Sequence, residues 1–185
     1  MGVEIWLVFV AILVVIFAIW GYNSLARIRN IVRNAWADID VQLKRRADLI
    51  PALVETTKGY SGYEREVLER VTEIRSRAER GELGPLERAK QEEELGQRVH
   101  SLLAVVENYP ELKASAQYMR LQQELSYTEN KIADARRYYN AAVRDHNIML
   151  QSFPLGLLAK LFGYKPQEYF ETESDEREAP IAKTT

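Results

Sequence analysis

The sequence predicts an all-α protein, in which an N-terminal single-pass transmembrane helix is followed by an antiparallel four-helix bundle with two long and two shorter helices. Three observations predict this class. The run from Ile5 to Trp20 is apolar without interruption, and apolar residues recur at three- and four-residue steps through most of the remaining chain. No segment has the apolar–polar alternation, bounded by turns, that is typical of a strand. With 185 residues, the chain is long enough for one domain with a sizeable core.

The first predicted element is an apolar helix from Ile5 to Tyr22, interrupted only by Gly21. At ~1.5 Å per residue it spans about 27 Å, which is close to the hydrocarbon thickness of a bilayer. A cleaved signal peptide is the alternative, but no Lys or Arg precedes the run and no Ala-x-Ala site follows it. We therefore expect residues 1–23 to be a retained anchor.

Basic residues follow the apolar run and do not precede it. The preceding side carries only Glu4, whereas the following side carries Arg27, Arg29, Arg33, Lys44, Arg45 and Arg46. By the positive-inside rule, this asymmetry predicts that the N-terminus is outside and the bundle is in the cytoplasm.

Residues 24–153 are predicted to form the bundle, and its first and last helices are the long ones. The first continues for about 36 residues beyond the membrane, with a kink at Pro51 and an end near Lys58. Its inner stripe is Leu25, Ile28, Val32, Ala35, Ile39, Leu43, Ile50 and Leu53. The last starts at Pro110-Glu111 and runs for about 42 residues in a sustained seven-residue repeat, which is typical of a bundle or coiled coil. Its inner stripe is Ala114, Tyr118, Leu121, Leu125, Thr128, Ile132, Ala135, Tyr139, Ala142, His146, Met149 and Phe153.

Two shorter helices are predicted between the long ones. The second helix follows the capping-box spacing Ser61–Glu64, and the third starts at Pro85 after a glycine-rich turn. Short connections favour antiparallel neighbours, so the fourth helix should return towards the membrane.

The segment 154–170 combines leucines and aromatic residues with Lys160 and Lys165. It fits either a short helix in the membrane interface or a segment that folds back to cap the bundle. Residues 171–185 are acidic and almost free of apolar residues, so they predict a disordered tail.

The composition argues against most site chemistry. There are no cysteines, so thiolate metal sites and cysteine nucleophiles are excluded. Neither His100 nor His146 has the glutamate three residues earlier that a di-metal bundle site requires, because those positions are Gln97 and Val143. No phosphate-binding glycine motif is present, and a net charge of −2 gives no case for nucleic acid. We expect no catalytic, cofactor or metal residues, and a hydrogen-bonded core role for His146.

Two groups of polar residues are candidates for a structural or binding role. The first is predicted to be an interhelical network that fixes the register of the bundle, with a binding site as the alternative; its members are Asp38, Asp40, Gln42, Glu129, Asn130, Arg136, Arg137 and Asn140. The second is a membrane-proximal basic group, Arg27, Arg29, Arg33, Lys160 and Lys165. Among the tyrosines, Tyr118 and Tyr139 are expected in the core, and Tyr127 and Tyr138 in outer contacts between helices.

Three stretches of the sequence carry a family resemblance. They are Ala35 to Tyr60, which contains Trp36-Ala37-Asp38-Ile39-Asp40, Glu107 to Ala114, which contains Asn108-Tyr109-Pro110-Glu111, and Leu121 to Asn140, which contains Arg136-Arg137-Tyr138-Tyr139-Asn140. Together these stretches resemble the LemA family. Phe153-Pro154 and Phe162-Gly163-Tyr164 resemble the family's closing motif. The resemblance covers residues 20–171 and implies a bacterial single-pass membrane protein with a helical bundle. It implies no reaction, so no functional residues are carried over.

These observations favour a non-enzymatic, membrane-anchored scaffold of the bacterial inner membrane, which self-associates or recruits an envelope protein. The alternative is a lipid-binding or membrane-shaping module that acts on the inner leaflet. A third hypothesis is an enzyme with an unrecognised active site, and a pocket with converging polar groups would be needed to support this hypothesis. The expected partners are the lipid bilayer and a second copy of the chain, with an envelope protein as a further candidate; nucleic acid and cofactors are not expected.

Overall fold

The computed structural model describes residues 2–58, 85–106 and 110–170. Within these ranges the chain forms helices and no strand, which confirms the predicted all-α class. The helices are α1 (Gly2–Lys58), α2 (Pro85–Val106), α3 (Pro110–Lys113), α4 (Ala116–Gln151) and α5 (Leu155–Leu161). The second predicted helix with its capping box, the glycine-rich turn and the acidic tail 171–185 lie outside the described residues.

Helix α1 is exposed in its first part and packs against other helices in its second part. Residues 2–16 are exposed although nearly all are apolar, and α1 is the described helix that is long and apolar enough to cross a membrane. From Leu25 onward one stripe becomes buried, and its members Ala35 and Ile39 are fully inaccessible. Helix α1 continues without a break through Pro51 and ends at Lys58, near the end that the sequence predicts. One helix therefore carries both a span of membrane-crossing length and a face packed inside the protein.

The structure divides into two compact units. In unit 1, the described residues are 2–45 and 127–169. There α1 and α4 run antiparallel, because Trp36 lies against Tyr139 with ring centroids 5.4 Å apart while Arg45, later in α1, lies 5.4 Å over the ring of Tyr127, earlier in α4. The core of unit 1 is made by Leu25, Val32, Ala35, Ile39, Leu43, Thr128, Ile132, Tyr139, Ala142, Val143 and His146.

In unit 2, the described residues are 46–58, 85–106, 110–126 and Phe170. Apolar side chains from the end of α1, from α2 and from the start of α4 are buried there; they are Ile50, Leu53, Ala89, Leu95, Val99, Tyr118 and Leu125. Pro85 is the first residue of α2, as expected for a proline whose missing amide donor costs nothing in the first turn.

The predicted fourth helix is interrupted near its start, so its continuity from Glu111 was wrong. Short α3 ends at Lys113, and α4 begins only at Ala116. Ser115 supplies the physical reason: its Oγ accepts a hydrogen bond from the backbone N–H of Tyr118 at 3.1 Å, so it acts as the N-cap of α4. A serine at this position satisfies an amide that would otherwise lack a partner and makes a new helix start favourable.

The chain turns after Gln151 and forms α5. Phe153, predicted on the inner stripe of the fourth helix, lies beyond the end of α4 and is 86% exposed, so that placement was wrong. At the other end of α5, the N–H of Gly163 donates to Lys160 O and the N–H of Tyr164 donates to Ala159 O. This paired pattern is a Schellman motif, and it requires the positive φ of 70° that Gly163 adopts.

Candidate functional site

Helix α5 packs against α1 at the point where the long apolar run ends. Gly21 is buried, and a Cβ built on it would lie 2.5 Å from Leu158 Cδ1 and 3.1 Å from Leu155 Cδ2. One residue further on, Tyr22 meets Phe162 edge-to-face with ring centroids 5.2 Å apart. A side chain at this position would require Leu158 to shift, so the glycine lets α5 lie close to α1 at the point where the apolar run is interrupted. The expected return of the chain towards the membrane end of α1 is therefore present in unit 1.

Residues 162–169, here called the return segment, lie along α1 and α4 after α5. The guanidinium of Arg29 lies 5.8 Å from the ring centroid of Tyr164. Asn147 on α4 makes two hydrogen bonds with Gln167: its Nδ2 donates to the carbonyl at 3.0 Å, and its Oδ1 accepts from the backbone N–H at 2.9 Å. These contacts hold an otherwise irregular segment against two helices of unit 1.

Tyr139 joins the core to the return segment. Its hydroxyl donates to the backbone carbonyl of Glu168 at 2.9 Å, while its ring lies against Trp36. Burial, and secondarily the nearby carboxylate of Glu168, raise the pKa of Tyr139 to about 12. Both causes disfavour the phenolate, so the neutral hydroxyl that makes the hydrogen bond is the favoured form.

We expect the contribution of Tyr139 to stability to depend on pH. Because its folded-state pKa of about 12 exceeds the ordinary value of 10.0, its contribution is fully present below pH 10 and is lost as pH rises towards 12. Tyr139→Phe should cost about 1 kcal/mol at neutral pH, by loss of the hydrogen bond, and should remove this part of the alkaline slope. The measurement is urea unfolding of both proteins at pH 8, 10 and 11.5. A difference between them that does not shrink with pH would contradict the assignment.

The predicted membrane-proximal basic residues are all exposed. Arg27, Arg29 and Arg33 follow the apolar run on α1, Lys160 lies on α5, and Lys165 lies in the return segment. Of the first three, Arg29 contacts the ring of Tyr164. Their exposure leaves these charges available to anionic headgroups, and that role stays a prediction.

The outer face of α4 carries a line of exposed side chains that we call the outer stripe: Tyr127, Lys131, Asp134 and Tyr138. Steps of four, three and four residues place them one above another on the helix. Tyr127 is 49% and Tyr138 55% exposed, whereas Tyr118 and Tyr139 are buried, as the periodicity predicts. Two cations lie over the ring of Tyr127, with the guanidinium of Arg45 5.4 Å and Lys131 Nζ 5.5 Å from its centroid. The ring is therefore held in place although half of its surface is open.

The predicted interhelical network lies on α1 and α4 of unit 1, and its members differ in burial. Asp38, Asp40, Asn130 and Arg137 are exposed, whereas Gln42, Glu129, Arg136 and Asn140 are half-buried. Arg137 pairs with Asp134 of its own helix. Whether Asp38 and Asp40 couple energetically to Arg136 and Arg137 stays a prediction, for which double-mutant cycles are the measurement.

A buried ion pair in unit 2 is the polar feature that sequence reasoning missed. Arg46 and Glu92 are both 2% exposed and paired, and Arg46 Nη2 also donates to the backbone carbonyl of Glu92 at 3.1 Å. Arg88 Nε lies 3.4 Å from the other carboxylate oxygen of Glu92. The signal was present in the sequence, because Arg46 falls between Leu43 and Ile50 on the inner stripe of α1.

His146 is buried in unit 1, with its Nδ1 3.3 Å from Asn147 Oδ1. This is the hydrogen-bonded core role predicted for it. Across residues 2–58, 85–106 and 110–170, no group of three or more His, Asp or Glu side chains is arranged to hold a metal ion.

The fold and these surfaces define a class: a helical bundle in which one bundle helix extends into a stretch of membrane-crossing length. The family model for the LemA family matches residues 35–183, so this chain belongs to the LemA family. The resemblance based on the motifs is therefore confirmed.

The relatives include two magnetosome proteins and one protein that is itself named LemA. The chain is 25% identical to Magnetosome protein MamQ 2 of Paramagnetospirillum magneticum, covering 86% of this chain and 68% of the relative. It is 26% identical to Protein LemA of Metamycoplasma hominis, with 84% and 71% covered. It is 23% identical to Magnetosome protein MamQ of Magnetospirillum gryphiswaldense, with 86% and 68% covered. None of these names states a reaction.

Proposed function

We propose that this LemA-family chain is a membrane-anchored helical scaffold of the bacterial cell envelope that acts by self-association or by recruiting a protein partner, and that it has no catalytic activity of its own. One observation carries the proposal. Helix α1 continues without a break from its exposed apolar stretch into the core of unit 1, so the proposed anchor and one side of that core belong to the same helix. A helix built in this way holds a protein surface at a set distance from the bilayer.

The surface best suited to a partner is the outer stripe. Tyrosine side chains such as those of Tyr127 and Tyr138 are enriched where proteins associate, because they bury a large area with few rotatable bonds. Tyr127 is already ordered by Arg45 and Lys131, so a partner would lose little conformational freedom on docking there.

We further propose that the chain lies in the inner membrane with its N-terminus outside and its bundle in the cytoplasm. The support is the charge asymmetry: Arg27, Arg29 and Arg33 directly follow the span and are exposed, whereas only Glu4 precedes it.

The association is tested by site-specific photocrosslinking in intact cells. We expect p-benzoylphenylalanine at Tyr138 to yield discrete adducts, either with a second copy of the chain or with one recurring envelope protein. The matched control is the same probe at Ala133, which is also exposed on α4 but lies away from the outer stripe. Equal labelling at the two positions, or no adduct at Tyr138, would contradict the proposal.

A lipid-binding or membrane-shaping module is the second candidate function. The observation that favours this function is the exposed apolar face of α5, which is formed by Leu157 and Leu161. Vesicles that change shape or leak when the full chain is added, with strong suppression by salt, would favour this function over the scaffold.

A further inference from the structure

Helix α5 has two apolar faces, of which only one is used inside the protein. Leu155 and Leu158 lie on Gly21, and Ala159 is buried. The opposite face carries Leu157 and Leu161, four residues apart, which are 63% and 77% exposed. Phe153, just before the helix, is 86% exposed, more than any other large apolar residue in the part of the chain that the structure describes. Three large apolar side chains in one short segment are more than the scattered surface leucines of a soluble protein.

The position of this face relative to the span is set by direct contacts. Gly21 and Tyr22 directly follow Trp20, the last residue of the uninterrupted apolar run, and these two residues are the ones that α5 and Phe162 touch. If α1 crosses a bilayer by its apolar run, then α5 lies at the level where that run ends, whatever the tilt of the helix. This level is the boundary between acyl chains and headgroups.

We propose that α5, together with Phe153, is an interfacial segment that inserts Phe153, Leu157 and Leu161 into the headgroup–acyl boundary and thereby sets the depth of α1 in the membrane. The occupant of this exposed face is the lipid surface.

Charge on α5 and the return segment agrees with a lipid occupant. Lys160 and Lys165 are exposed, and Arg29 is exposed beside Tyr164. Basic side chains that flank an inserted apolar face place their charges among anionic headgroups, which is the usual pattern of an interfacial helix. A second copy of the chain would instead need a complementary face, and like charges from two copies would oppose that contact.

The absence of cysteine in the sequence makes a direct test possible with the full chain. Single cysteines replace Leu157 or Leu161, and each carries a nitroxide label after reconstitution into phosphatidylcholine–phosphatidylglycerol vesicles. Power saturation then compares collisions with oxygen, which enriches in lipid, and with a nickel chelate, which stays in water. Ile12→Cys provides the lipid reference and Asp134→Cys the aqueous one, since both positions are exposed.

We expect the labels at Leu157 and Leu161 to give oxygen-to-nickel collision ratios near that of Ile12→Cys and at least several-fold above that of Asp134→Cys. A label at Lys160 should lie closer to the aqueous reference. Ratios at Leu157 and Leu161 equal to the aqueous reference would overturn the proposal. Low collision with both reagents together with dipolar broadening would also overturn it, because a second copy would then cover the face. A water-like ratio at Ile12 would overturn the span on which the proposal depends.

A variant that disturbs only the docking of α5 gives a second test. Gly21→Ile places a branched side chain where Leu158 Cδ1 now lies, whereas Gly2→Ile, the control, meets nothing within 4 Å at its Cβ. We expect the collision ratio at Leu161 to change in the first variant and to stay unchanged in the second. An unchanged ratio in both would overturn the role of the Gly21 contact in setting the depth. Failure of the photocrosslinking test would leave these results unaffected, because they do not depend on a protein partner.

Discussion

Arg46→Ala is expected to lower the free energy of unfolding by about 3–5 kcal/mol, the range for a buried ion pair that loses one partner. The reason is that the carboxylate of Glu92, 2% exposed, would keep its burial and lose the guanidinium that neutralises it. Arg88 Nε lies 3.4 Å from a carboxylate oxygen of Glu92, which is longer than a normal charge-assisted hydrogen bond, so Arg88 is a poor replacement for the paired guanidinium. The measurement is urea unfolding of the full chain in a mild detergent, followed by circular dichroism.

The neighbouring residue provides the matched control for this prediction. Arg45 is exposed, and Arg45→Ala should cost at most about 1 kcal/mol, the usual limit for an exposed charged contact. The double variant Arg46→Met with Glu92→Met should recover most of the loss, because an apolar pair of similar size carries no desolvation cost. Equal effects of Arg45→Ala and Arg46→Ala would refute a buried, energetically important pair.

Ile39→Ala should be the second severe substitution, with a cost of about 2–5 kcal/mol from lost apolar contact and the cavity left behind. Ile39 is fully buried in unit 1, at the centre of the stripe that α1 presents to the core. Thermal unfolding of the detergent-solubilised chain is the measurement.

Val41→Ala is the control for Ile39→Ala, because it removes similar apolar bulk two residues away on the same helix. Val41 is 61% exposed, so its truncation should change stability by no more than about 0.5 kcal/mol. If Val41→Ala were as damaging as Ile39→Ala, the face that α1 buries would have been assigned wrongly.

Periodicity was enough to predict the two long helices, apart from the break before Ala116, and most of their buried faces. Seven of the eight residues on the predicted stripe of α1 are buried, and only Ile28 is half-buried, because a 3.6-residue period leaves little choice of face once one side is apolar. The same logic placed Tyr139 in the core and Tyr138 outside it. The antiparallel pairing of α1 and α4 followed from helix lengths and turns.

What the sequence could not predict depends on contacts between distant residues. Arg46 and Glu92 are charged, and charged side chains are seldom fully buried without a partner, which periodicity does not identify. Ser115 fits a helix interior or an N-cap, and only the hydrogen bond to Tyr118 decides between them. The return segment is held largely through hydrogen bonds to the backbone of Gln167 and Glu168. Every residue has these backbone groups, so the sequence does not indicate which of them will be used.

The central claim is that one span anchors the chain and leaves its bundle on the cytoplasmic face. Single cysteines at Glu4, before the span, and at Asp134, in the bundle, test it with a membrane-impermeant maleimide applied to spheroplasts. The account predicts that Glu4→Cys is labelled at once and that Asp134→Cys is labelled only after permeabilisation. Immediate labelling of both positions, or of Asp134→Cys alone, would contradict it.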